Sequence, residues 1–140
     1  MILCSGCFDG LHAGHVAYLT VAADLRHWEE LFVAVAPDSY IRRTKGHQPR
    51  WGQLNRCNLV MAVKGVNEAW PDPSQTPAEV IREKKPRIFL KGSEWAGRLP
   101  ADVVAACQEV GCQILYLEML DIPHNSEAPS PPSKRSKRSS

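Results

Sequence analysis

The chain has 140 residues, 44% of them hydrophobic, and a formal net charge of +2, the size of one ordinary domain that buries its core without disulfides. No run of about 18 apolar residues is present, which excludes a membrane-spanning helix, and no basic segment leads into an apolar stretch at the N terminus, so no secretory signal is expected. The charge is uneven: residues 126–140 carry four basic side chains (Lys134, Arg135, Lys137, Arg138) against Glu127, leaving 13 basic and 14 acidic residues in 1–125, a near-neutral body that is no general polyanion binder.

Met1 to Ser5 is a short apolar run without helical spacing, as expected of a buried parallel strand. A glycine-bearing turn follows. From about Gly14, Val16, Leu19, Val21, Ala22 and Leu25 recur with a helical period. Leu31 to Ala36 is a second apolar run, and strand, turn, helix and strand make a βαβ unit. Residues 37–50 read as a polar, cationic loop hanging from the second strand. A helix is predicted over about Trp51 to Lys64, with Leu54, Cys57, Val60, Met61 and Val63 as its apolar stripe. Val66 to Trp70 is predicted as a third strand. Thr76-Pro77 is a helix start, an N-cap followed by proline in the first turn, and that helix runs to about Lys84. Arg87 to Gly92 is a fourth strand, Ala101 to Val110 a helix stopped at Gly111, and Cys112 to Leu117 a fifth strand. The alternation predicts one α/β domain over residues 1–125, a Rossmann-like doubly wound fold on a mostly parallel five-stranded sheet. Residues 126–140 are low in complexity, rich in Pro, Ser, Lys and Arg, and are expected to be disordered.

The chemistry concentrates between the first strand and the first helix. There Gly6-Cys7-Phe8-Asp9-Gly10-Leu11-His12-Ala13-Gly14-His15 places two imidazoles one helical turn apart, so both face one ligand over the helix's amino end. Such an end offers unpaired N–H groups and partial positive charge, a ready phosphate site. In a parallel sheet it also lies outside the strands' carboxyl ends, where ligands bind. Five cysteines (Cys4, Cys7, Cys57, Cys107, Cys112) are scattered through strands and helices, which suits a reducing cytosol. Cys4 and Cys7 straddle a strand end rather than opening a helix, and no second ligand pair stands at zinc spacing. No metal site is expected from them.

This string resembles the H-x-G-H signature of the cytidylyltransferase-like nucleotidyltransferases, with the full G-x-F-D-x-L-H-x-G-H present. The resemblance covers about Leu3 to Leu117. It implies an enzyme that moves a nucleoside monophosphate from a triphosphate to a small phosphorylated sugar or polyol, with Mg²⁺ carried by the nucleotide. On this resemblance His12, His15 and Lys45 are the catalytic group, with Arg42 and Arg43 as helpers, and Cys7, Phe8, Asp9 and Gly14 line the site. Arg56, in a segment similar to the family's E-Q-R, would fork onto a phosphate. Lys91-Gly92-Ser93-Glu94-Trp95 is similar to a second landmark beside the nucleotide base, so Lys91, Gly92, Glu94 and Trp95 are implied as nucleotide contacts. Plain structural alternatives stay open for Asp9, as a turn cap, for Arg56, as an exposed helix residue, and for Trp95, as packing. Lys45-Gly46, Pro49-Arg50, Thr76-Pro77 and the Lys91-Gly92 segment look closest to the heptose-phosphate adenylyltransferase branch. The implied reaction is therefore ATP with a sugar 1-phosphate, with CTP and a glycerol or alditol phosphate as the alternative. Relatives are commonly dimers.

One landmark departs from the family. The Ser/Thr-rich segment that grips the triphosphate after the last strand has as its counterpart only 121–126, and Pro129, Pro131 and Pro132 exclude an ordinary helix beyond it. Hydrogen bonds to charged oxygens are worth roughly 1.5–3 kcal/mol each. Their loss leaves a second reading open, an impaired nucleotide-binding module whose basic tail meets partners such as nucleic acid.

Overall fold

The computed structural model describes residues 1–25 and 29–118. The expectations for the tail and for the segment 121–126 lie outside the described residues.

Five strands form one sheet: β1 (Ile2–Gly6), β2 (Leu31–Val35), β3 (Glu68–Pro71), β4 (Ile88–Gly92) and β5 (Gln113–Leu117), in the order β3-β2-β1-β4-β5. Every pairing is parallel. The helices are α1 (Ala13–Leu25), α2 (Asp38–Lys45), α3 (Gln53–Met61), α4 (Ala78–Lys84) and α5 (Ala101–Val110), with a short 3₁₀ turn at Ser93–Trp95.

Successive strand residues point to opposite faces, and this divides the core in two. Ile2 and Cys4, Val33 and Val35, and Ile88 and Leu90 pack with Leu19 and Ala22 of α1 and Cys57 and Val60 of α3. Leu3, Ala34 and Phe89, one step out of phase, pack with Ile81 of α4 and Val103, Ala106 and Cys107 of α5. Both faces are therefore covered, which is why the strands read as continuous apolar runs.

The predicted strands and four of the helices form within a few residues of the expected bounds. The exception is α2, in the segment read as a loop. Ile41 is its single buried residue, so apolar periodicity is too sparse to announce a helix. What holds it is terminal chemistry: Asp38 in the first turn, Arg42, Arg43 and Lys45 in the last, and the Gly46 amide returning to the Arg42 carbonyl at 3.2 Å. The helix carries Lys45 at a fixed place beside the sheet instead of on a loose arm.

The chain winds outward from β1 through β2 to β3, then crosses back to β4 on the other side of β1. The crevice between β1 and β4 at their carboxyl ends is thus the topological switch point. Pairing of these two strands runs from Ile2–Ile88 to Cys4–Leu90, although β1 continues to Gly6 and β4 to Gly92. The strands part there, and the Lys91 ammonium reaches across the split to the Ser5 carbonyl (3.2 Å) and hydroxyl (3.4 Å).

Candidate active site

A cavity of about 620 Å³ opens at this switch point, lined from one side by Cys7, Phe8, Asp9, His12 and His15 and from the other by Lys91, Gly92, Glu94 and Trp95. Lys45 of α2 also faces it. Its size is that of an ordinary small-ligand site.

The two imidazoles stack, ring centroids 3.8 Å apart and planes 23° from parallel. The His12 amide donates to Nδ1 of His15 at 3.2 Å, and the Gly14 amide donates to Nδ1 of His12 at 3.0 Å. A ring nitrogen that accepts does not carry the proton, so both rings hold it at Nε2. Two amides at the helix start, expected to meet the phosphate directly, are instead taken up by the rings. The donors offered onward are the Nε2–H groups. Burial pushes the His15 pKa down to about 4, with the His12 ring and the Lys45 ammonium acting in the same direction. His15 is therefore a neutral hydrogen-bond donor near pH 7 rather than a cation.

Phe8 fixes this arrangement from below. Its backbone sits in the left-handed region at φ 50°, an unusual place for a bulky residue. That conformation brings its ring edge-on to His15, with centroids 5.3 Å apart. The same ring crowds Gly6, where a Cβ would stand 3.0 Å from Phe8 Cε2. A side chain at position 6 would have to displace the Phe8 ring by a few tenths of an ångström.

Asp9 accepts the Arg50 amide through Oδ1 at 2.6 Å while lining the cavity, so it ties the segment after α2 to the signature turn. Lys91 is largely buried, which lowers its pKa, while the Cys7 and Cys4 thiols and Glu94 act against that shift. Its ammonium also lies 4.7 Å from the centroid of the Trp95 ring. The Cys7 thiol is held up by burial against the pull of Lys45, Arg56 and Lys91, so it is no activated nucleophile.

Arg56 has a different place from the one its motif implies. It is fully buried, absent from the cavity lining, and committed to protein acceptors. Nε donates to the Trp51 carbonyl (2.8 Å), Nη1 to the carbonyls of Cys7 (2.7 Å) and Ala36 (2.8 Å), and Nη2 to Asp38 Oδ1 (2.5 Å). It fastens the turns after β1 and β2 to α3, so it shapes the cavity without reaching into it. Gly14 also lies behind the lining, buried, where its amide orients His12. Arg42 and Arg43 lie outside the lining too; Arg42 bonds Gln48, and Arg43 bonds Gln75 and stands over Tyr40.

Several lining residues carry no motif: Tyr18, Tyr40, Thr44, His47 and Asp72. Asp72 follows β3, and Tyr40 and Thr44 stand on the helix after β2. The available signal was position, just past the carboxyl end of a parallel strand.

Fold and site together define a Rossmann-like α/β protein with the H-x-G-H signature at its switch point. The chain belongs to the cytidylyltransferase-like family, whose model matches residues 3–127. It is similar to proteins called bifunctional protein HldE: 38% identical over 96 residues in Coxiella burnetii, covering 68% of this chain and 20% of that protein. In Vibrio atlanticus the figures are 38% over 116 residues, 79% and 24%, and in Chromohalobacter salexigens 35% over 124 residues, 86% and 25%. The chain thus spans a fifth to a quarter of the length of these relatives. Among solved structures, it is similar to the lipopolysaccharide core biosynthesis protein from Thermoplasma volcanium, with TM-score 0.70 and 28% identity, covering 86% of this chain and 97% of that one. Among the described residues no helix is long and apolar enough to cross a membrane.

Proposed function

We propose that this chain is a nucleotidyltransferase that transfers adenylyl from ATP to a sugar 1-phosphate, a heptose phosphate by preference, and releases pyrophosphate. The observation that carries the reading is the stacked imidazole pair, each ring locked at Nδ1 by a backbone amide so that its Nε2–H is free for the cavity. The choice of ATP and heptose phosphate rests on similarity to the HldE proteins.

In this reaction an oxygen of the acceptor phosphate attacks the α-phosphorus, and the bond from that phosphorus to the bridging oxygen breaks as pyrophosphate leaves with the electron pair. No protein nucleophile is needed. The protein positions the two phosphates and neutralises charge that grows on the α-phosphoryl and bridging oxygens. His12 and His15 supply donors already oriented before the ligand arrives. A neutral His15 holds that role across the physiological range. Lys45 and Lys91, on opposite sides of the crevice, supply positive charge, and Glu94 and Trp95 flank the base. Mg²⁺ would come on the triphosphate's own oxygens: among the described residues no three His, Cys, Asp or Glu side chains group to hold an ion, and this cation relies little on dedicated protein cages.

The test is pyrophosphate release with each of ATP, CTP, GTP and UTP against heptose 1-phosphate, hexose 1-phosphate and glycerol 3-phosphate. ATP with heptose 1-phosphate is expected to give the highest kcat/KM, and His15→Ala to lower kcat by a hundredfold or more. Preference for CTP with glycerol 3-phosphate overturns the substrate assignment, and nucleotide binding without turnover for any acceptor overturns the enzyme.

A further inference from the structure

The cavity has two chemically different ends. At one end His12, His15, Lys45 and Lys91 offer protons or positive charge, and of the carboxylates there Asp9 is taken up by the Arg50 amide and Glu94 stands beside Lys91. Across the cavity, at the carboxyl end of β3, stands Asp72, 3% exposed and lining the space. Its Oδ1 accepts the Ser74 amide at 2.9 Å. Among the described residues Oδ2 has no hydrogen-bond partner, and no cation pairs with the carboxyl. A buried carboxylate oxygen left in this state is costly unless something in the cavity donates to it. Tyr40, on α2, faces the same space, and its hydroxyl likewise has no partner among the described residues.

The segments that carry these two side chains are tied together by protein contacts. Gln75 joins α2 to the loop after β3, donating to the Ser39 hydroxyl (2.9 Å) and accepting from Arg43 Nε (3.0 Å). Gln53 of α3 donates to the carbonyls of Val35 (2.9 Å) and Asp72 (2.7 Å), pinning the ends of β2 and β3 together. A buried carboxylate with one oxygen still to be met and a half-buried hydroxyl, both on braced elements and both facing the cavity, make a preorganised subsite.

Resting on the reading of the chain as a nucleotidyltransferase, we propose that the Asp72 carboxylate and the Tyr40 hydroxyl bind the hydroxyl groups of the acceptor and set its specificity. The chemistry chooses the ligand class. A carboxylate with no cation beside it repels a phosphate and accepts from alcohols. The acceptor's phosphate therefore goes to the imidazole and lysine end, and its polyol body lies against Asp72 and Tyr40. A second phosphate on that body would meet the carboxylate, so a singly phosphorylated, hydroxyl-rich acceptor fits and a bisphosphate does not.

The experiment compares the wild type with Asp72→Asn and Tyr40→Phe, both nearly isosteric. The first measurement is KM for heptose 1-phosphate and for ATP by pyrophosphate release, with inorganic phosphate as a competitor that carries no hydroxyl-bearing carbon. Each substitution is expected to raise the acceptor KM about tenfold or more. The ATP KM and the inhibition constant of inorganic phosphate are expected to stay within twofold. Acceptor constants unchanged in both variants overturn the proposal, and so does an equal loss of ATP and acceptor affinity, which marks a merely structural role. A second measurement needs no turnover: the carbon-13 signal of the Asp72 carboxyl, identified by its loss in Asp72→Asn, recorded at fixed pH with each sugar or polyol phosphate. A shift with these and none with inorganic phosphate supports the subsite even where no pyrophosphate is released, a result that sinks the enzyme alone. No shift with any of them overturns the subsite whatever the turnover.

Discussion

Replacing Arg56 by methionine keeps most of the buried volume and removes every donor. The carbonyls of Trp51, Cys7 and Ala36 and the carboxylate of Asp38 all lose their partner. Breaking a buried ion pair from one side costs roughly 3–5 kcal/mol, but the Asp38 side chain is 35% exposed and water recovers part of that. Each interior carbonyl left bare adds about 1–3 kcal/mol. Retained packing and hydration pull the sum back, and a net loss of about 3–4 kcal/mol is the working figure, a large share of a typical 5–15 kcal/mol stability. Urea unfolding followed by far-ultraviolet circular dichroism reads this as a midpoint lowered by on the order of 2 M at an ordinary slope. Arg56→Lys, which can restore one or two of the contacts, should fall between. The competing role, a guanidinium on the nucleotide's phosphates, has another signature. A variant that unfolds at the wild-type midpoint yet binds ATP tenfold more weakly would refute the structural account.

Three further outcomes follow from the geometry. The His15 ring should titrate by NMR near pH 4 rather than near 6.5. Unfolding then takes up a proton between those values, so the stability tied to the neutral ring is complete above pH 6.5 and lost as pH falls toward 4; a midpoint above 6 contradicts the buried placement. For Asp72 the sign reverses. Burial raises its pKa from 3.8 to about 6, so its contribution favours folding at low pH and is lost as pH rises through 6. Asp72→Asn should therefore be more stable than the wild type at pH 7.5, by on the order of 2 kcal/mol; a variant less stable at that pH speaks against an unpaired buried carboxylate. Gly65 has φ +98°, and a Cβ built there would stand 2.7 Å from the Ala23 side chain. Gly65→Ala should cost roughly 2 kcal/mol or more, with Ala23→Gly recovering only the steric part in the double variant; full recovery would show that backbone conformation contributes nothing.

Much of this protein was legible in its residues alone, for local reasons. The strands are continuous apolar runs because both faces of a parallel sheet are buried, and four helices carry caps or a stripe that any window of the chain displays. The H-x-G-H string announced its place because glycines, a strand end and a helix start are all neighbours in sequence. Tertiary structure decided what depends on distant partners. Apolar spacing does not announce α2, since only Ile41 buries, and its end charges and Gly46 suit a polar loop equally well until the segment packs beside the sheet. Nothing local distinguishes an arginine that grips phosphate from Arg56, whose acceptors come from the turns after β1 and β2, or reveals that the histidines use backbone amides to aim their free nitrogens. Asp72 and Tyr40 meet one cavity only because the chain winds outward to β3 before crossing back. Sequence patterning determines which residues are buried and what local shape they take; which polar groups find partners, and which are left facing the cavity, is settled when remote segments pack.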